Sequence, residues 1–136
     1  MVAGDHLELS LAQDRDAPRR AREQVGLLLD AHGIEPEVRH EARLLVSELV
    51  TNAVLHAAEP ITLEVAVCDA RLRVEVFDGD DRAAVLAVRR ANGDAMAGRG
   101  LTIIDAFSHR WGVRRHRGGK SVWAELHAPS PFAWQR

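Results

Sequence analysis

The run ITLEVAVCDARLRVEVFD, residues 61–78, constrains the fold of this chain more than any other stretch. Apolar and polar residues alternate along ITLEVAVCD and again along RLRVEVFD, the period-two pattern of strands with one buried face. Asp69-Ala70 joins them as a tight turn, which predicts a hairpin. A sheet with one apolar face has to be covered, and the flanking sequence supplies helices to do it.

APRRAREQVGLLLDAHG predicts a helix with Val25, Leu28 and Leu29 as its apolar stripe. Asp16 is placed to cap its start, Pro18 is tolerated in its first turn, and Gly33 ends it. A longer helix is predicted from near Pro36 to about Ala57. Its buried side is marked by Val38, Ala42, Leu45, Leu49 and Ala53 at three- and four-residue steps. HLELSL alternates as a first strand, and GRGLTIIDAF opens a third helix at its glycines. HRWGVRRH and KSVWAELHA close the chain as a hairpin around Arg117-Gly118-Gly119.

Adjacent strands with helices grouped between them predict an α+β two-layer sandwich. Its sheet is expected to be mixed, mostly antiparallel, and covered on one face by helices. The chain shows no repeat or linker and is expected to form a single domain over 1–136, with 5–128 as core and 129–136 as a loose tail. Periodicity fails for 20 residues from Gly79 to Gly98, apart from a short helical piece expected around AAVLAVRR. Structureless stretches of that length inside a compact domain are usually functional.

A hydrophobic content of 46% in 136 residues is enough for a core without staples. The net charge of −2 argues neither for a nucleic-acid binder nor for an acidic tail. The cluster Arg110, Arg114, Arg115, His116, Arg117 and Lys120 lies on the last hairpin, with no aromatic platform beyond Trp111. It reads as a solvated face or a contact for an acidic protein partner, not as a nucleic-acid site. Lys120 is the only lysine among 18 basic residues, an arginine bias that reads as codon composition. Cys68 is the only cysteine, which excludes an intramolecular disulfide, and it is expected as a small buried core residue. The seven histidines form no zinc-ligand spacing. Neither a signal peptide nor a run of about 20 apolar residues is present, so a cytoplasmic protein with no membrane contact is expected.

Three features could carry chemistry. Glu48, Asn52 and His56 recur every four residues, each about 40° further around the helix, and border its buried line. A carboxylate at a core boundary has a partner or a task. Asp78-Gly79-Asp80 ends a strand, where Asp78 could accept a hydrogen bond from an exocyclic amine or simply begin a turn. Gly98 and Gly100 in GRGL leave backbone N–H groups bare at a helix start, which suits phosphate oxygens.

Taken together, SELVTNAVLHA, VFDGD, GRGLTIIDAFSHRWGV and GGKSVWAEL resemble the GHKL (Bergerat-fold) ATPase/kinase superfamily over about residues 5–128. Within it the chain looks like the anti-sigma-factor serine/threonine kinases of actinobacterial type. The resemblance implies a Mg2+-dependent ATP-binding protein in which Asn52 coordinates the Mg2+ and Glu48 is the general base. It makes Asp78, with Gly79, the adenine-binding strand end. Gly98, Arg99, Gly100 and Leu101 become the second glycine box around the phosphates, residues 79–97 the ATP lid, and Ser121 a small hydroxyl near the adenine. His56 is read as a packing residue. At Asp80 the family has glycine or serine, and the stretch from residue 81 lacks the family's glycine richness. The implied partners are an anti-sigma-factor antagonist protein and a sigma factor, and such kinases are commonly homodimers. Phosphotransfer to a serine or threonine is the first reading. A protein-interaction module that binds nucleotide without transferring phosphate, and a stand-alone ATPase, share the same residues.

Overall fold

The computed structural model describes residues 4–80 and 98–128. In chain order they form β1 (Gly4–Leu11), α1 (Ala17–Ala31), α2 (Pro36–His56), β2 (Ile61–Cys68), β3 (Arg71–Asp78), α3 (Gly98–Phe107), β4 (Arg110–His116) and β5 (Gly119–His127). The helical piece expected around AAVLAVRR, most of the lid and the tail from residue 129 lie outside the described residues.

The strands make one sheet in the order β1-β2-β3-β5-β4. Every neighbouring pair is antiparallel, in keeping with the mostly antiparallel sheet expected, and no parallel pair occurs among the described residues. Alternation sorts its side chains cleanly. Leu63, Val76 and Val122 stand in one cross-strand row, Val65, Val74 and Ala124 in the next, and Val67, Leu72 and Leu126 in a third. All nine are buried. They meet Ala21, Val25 and Leu29 of α1 and Leu45, Val46, Leu49 and Val50 of α2 in a single core. Each large aliphatic side chain buried there contributes about 1.5–3 kcal/mol relative to exposure. This is the two-layer α+β arrangement that the periodicities predict.

The helix ends are closed in ways the sequence shows only in part. Gly33 takes φ 65°, and its N–H bonds to Asp30 O while that of Ile34 bonds to Leu29 O. That doubled-back pair satisfies two last-turn carbonyls, and Ile34 drops into the core. At the other end of α1, Asp16 makes no side-chain cap. The carboxylate at work is Asp14, whose Oδ1 accepts the Asp16 N–H at 2.9 Å. The C-terminus of α2 is closed from a distance. Gln13 Nε2 donates to Val54 O at 3.0 Å and to Ala57 O at 2.7 Å, and its backbone N–H reaches Glu59 Oε1 at 3.1 Å.

Cys68 is exposed, not buried. The buried set of β2 is Ile61, Leu63, Val65 and Val67, and Cys68 falls one step out of phase at the strand end. The turn that follows uses Asp69 at φ 55°, a left-handed conformation that aspartate tolerates better than most residues.

Candidate functional site

The site begins on α2. Because Leu45, Leu49 and Ala53 are fixed in the core, Glu48 and Asn52 are held half-buried at its edge. Among the described residues the Glu48 side chain makes no hydrogen bond or ion pair. The His56 side chain lies outside the described residues. Helix α3 packs on α2 through the buried Ile104, so its N-terminal turn is delivered to the same side of the sheet. Gly98, Arg99, Gly100 and Leu101 form that turn, while the side chains of residues 98–102 are not among those described.

Asp78 is the last residue of β3 and continues the inward row of Leu72, Val74 and Val76. A carboxylate thus ends a line of aliphatics, with no side-chain surface left to solvent. Burial of an unpaired charge there would be prohibitive. The partner is Lys120, directly opposite on β5, whose Nζ lies 2.5 Å from Asp78 Oδ2. The other oxygen, Oδ1, accepts the backbone N–H of Asp80 at 2.9 Å, so Asp80 enters the site as a turn residue through its main chain.

Two glycines let three backbones meet around this pair. Gly79 donates to Ala58 O at 2.8 Å, and a Cβ on Gly79 would sit 2.6 Å from Glu59 O. A Cβ on Gly119 would collide with the carbonyl oxygen of Asp78. Side chains are excluded at both positions for lack of room.

Ser121 is not where the resemblance implies. It pairs with Phe77, one step out of phase with Asp78, and therefore lies on the opposite face of the sheet. Its Oγ donates to Glu75 Oε2 at 2.5 Å and lies 2.7 Å from His116 Nε2. The residue beside Asp78 is Lys120. The signal for this was in the sequence: Val122, Ala124 and Leu126 mark the inward phase of β5, and Lys120 shares it.

The outer face carries a separate polar network. Arg73 Nη1 donates to Glu125 Oε2 at 3.1 Å, and Arg110 donates to Glu125 Oε1 at 2.6 and 2.9 Å. The guanidinium of Arg73 stands 4.6 Å from the centre of the Trp123 ring, with Arg110 and Arg114 further out over the same ring. Burial pushes the Glu125 carboxyl up, but the hydrogen bonds and charges of Arg110 and Arg73 outweigh it and hold the group below its ordinary value of 4.5.

Nucleotide chemistry suits the inner-side donor set. No group of three or more His, Cys, Asp or Glu side chains gathers among the described residues. A divalent ion recruited by one amide oxygen together with phosphate oxygens needs no such group. The Asp78 carboxylate keeps lone pairs beyond the two already used, on a side chain with no surface open to solvent.

Over residues 11–126 the chain matches the family described as histidine kinase-like ATPase domain. It is also similar to the crystal structure of the RsbU and RsbW domains of Rv1364c from Mycobacterium tuberculosis, with a TM-score of 0.71 and 21% identity. That likeness covers 93% of this chain and 34% of the other, so this chain spans about a third of the length of the protein it resembles. At this identity the likeness speaks for the fold. A search of curated proteins finds no match.

Proposed function

This chain belongs to the histidine kinase-like ATPase domain family, and from that premise we propose that it binds Mg-ATP and acts as a serine/threonine kinase on a regulatory protein. The observation that carries this reading is the gathering of Glu48, Asn52, Asp78 and the first turn of α3 on the helix side of one sheet. Asp78 is a buried acceptor for the adenine amine, and Asn52 supplies the amide oxygen for Mg2+. The bare N–H groups at Gly98 and Gly100 are suited to phosphate oxygens. ATP supplies the phosphoryl group. Glu48 takes the proton of the attacking hydroxyl, a role its unpartnered carboxylate fits. Arg99 and Leu101 belong to the proposed phosphate-binding turn, and Ser121 is left out of the site because it faces away from Asp78.

The partner class follows from the resemblance to anti-sigma-factor kinases and from the RsbW domain in the similar structure. An antagonist protein would carry the target serine or threonine, with a sigma factor as the sequestered partner. A cytoplasmic setting is part of the same reading; no helix among the described residues is long and apolar enough to cross a membrane.

Calorimetric titration with ATP, with and without Mg2+, tests the premise. Binding should require Mg2+ and should weaken at least about a hundredfold in Asn52→Ala, equivalent to roughly 2.7 kcal/mol. Labelled ATP and candidate antagonist proteins then test the chemistry. Glu48→Ala should keep ATP binding and lose transfer. ATP binding without transfer to any candidate would favour the interaction module, and transfer that survives Glu48→Ala would remove Glu48 as base.

A further inference from the structure

Ala21, Val25 and Leu29 turn one side of α1 to the core, as Ala42, Leu45 and Leu49 do on α2. On the side that remains, the two helices enclose a groove that the proposed nucleotide chemistry does not use. They run antiparallel in a fixed register: Arg39 meets Asp30 at 2.7 Å, Gly26 lies against Arg43, and Arg22 donates to Ser47 Oγ at 2.7 Å. Each rung is four residues back on α1 and four on along α2, so the three span roughly 12 Å. The groove has a volume of about 550 Å³, inside the range of about 300–1,000 Å³ usual for ligand sites.

Gly26 sits in the middle of α1, where glycine weakens a helix relative to alanine. Packing does not require it, because a Cβ there would meet only the Arg43 side chain, at an ordinary contact distance of 3.8 Å. What the glycine does is cut a notch into the wall of the groove. Beside the notch Leu27 is 65% exposed. The charges around it do not balance. Both acidic groups of the groove are already paired, Asp30 with Arg39 and Glu23 with Arg19. Arg22 has only a neutral hydroxyl for a partner, and Arg43 meets no carboxylate among the described residues. Arg39 Nε is buried without an acceptor, which a structure rarely tolerates. An apolar notch is thus ringed by guanidinium groups with unused donors.

We propose that this groove docks an acidic amphipathic helix of a partner protein. An aliphatic side chain of that helix enters the notch over Gly26 and packs on Leu27, while its carboxylates face Arg22, Arg39 and Arg43. Both walls are helices, and a third helix packs between two by setting its ridges into their groove. Carboxylates are selected because the unmatched charges are guanidiniums, which bind them through paired N–H donors. A second copy of this chain is the poorer match, since a two-fold pair through this face would set Arg22 and Arg43 against like charge. Glu48 and Asn52 lie further along α2, so the docking needs no bound nucleotide.

The test is fluorescence anisotropy with a labelled helical peptide carrying leucine and glutamate on one face, and with the same peptide bearing glutamine for every glutamate. The full chain should bind the glutamate peptide at least about tenfold more tightly, by a margin that shrinks as salt is added. Arg43→Gln and Leu27→Ser, both at exposed positions, should each weaken that peptide about tenfold. Gly26→Ala should raise the melting temperature, as at any ordinary helix position, whereas Gly26→Leu should fill the notch and abolish binding. If Gly26→Leu does not fold, Arg43→Gln decides. Equal binding of the two peptides, or none of either, overturns the inference. So does binding that survives Arg43→Gln but is lost in the Arg114→Gln/Arg115→Gln double variant, which would move the contact to the last hairpin. A dimer in sedimentation that Arg43→Gln dissociates, with no peptide bound, would overturn it in favour of a second copy. Each of these failures leaves the ATP titration, and the function it tests, untouched.

Discussion

The two faces of the sheet use the same kinds of residue for different ends. Among the described residues of the inner face one ion pair, Asp78 with Lys120, stands at the edge of a core built from rows of Val, Leu and Ala. On the outer face Arg73, Glu75, Arg110, Ser121 and Glu125 form a connected network across β3, β5 and β4. The inner pair is dry and closed in by backbone, so each charge depends on the other. The outer network is wetter and redundant: Arg110 is more than half exposed and Glu125 has two arginines.

Breaking each in turn should sharpen that contrast. The largest effect is expected from Lys120→Met, which strands the Asp78 carboxylate. Chemical denaturation should show a loss of about 3–5 kcal/mol, the usual cost of leaving one member of a buried pair, and the Asp78→Asn/Lys120→Met double variant should recover part of it. Ser121→Ala removes the hydroxyl that satisfies the buried Glu75 and should cost about 1–3 kcal/mol. Its ATP affinity should match wild type; a lost affinity would put Ser121 back in the site. Arg110→Ala, on the solvent side, should cost no more than about 1 kcal/mol by the same measurement.

The smallest expected effect is a titration. Glu125 is held below its ordinary value in the folded protein, so the unfolded chain binds its proton more readily. The stability this group contributes is complete above pH 4.5 and is lost as pH falls through its lower folded value. Stability curves at a series of acid pH values should therefore fall less steeply in Arg110→Ala than in wild type.

Much of the fold was legible because alternation and helical spacing report directly on burial. The β2–β3 hairpin, the buried line of α2 and the glycine stop of α1 all follow from residue type at the right period. Cys68 was misplaced because composition outweighed phase: thiols are usually buried, but this one ends a strand on the wrong step. Ser121 was misplaced for a related reason. A motif places a residue near a ligand by position in the chain, while the side of the sheet depends on parity, and Ser121 and Lys120 differ by one. Gln13 could not have been found locally, since its partners lie more than 40 residues away.

That Gln13 clasp links the loop after β1 to the last turn of α2, the turn that begins just past Asn52. Its amide nitrogen faces two carbonyl oxygens at once. Exchanging the amide for a carboxylate, a change of almost no volume, would aim negative charge at both of them and fray the helix from its end. Gln13 thus closes the end of the helix that holds the proposed metal ligand. Position 13 is a handle for adjusting the site remotely, in an assay or over the course of divergence, while every residue of the site itself stays as it is.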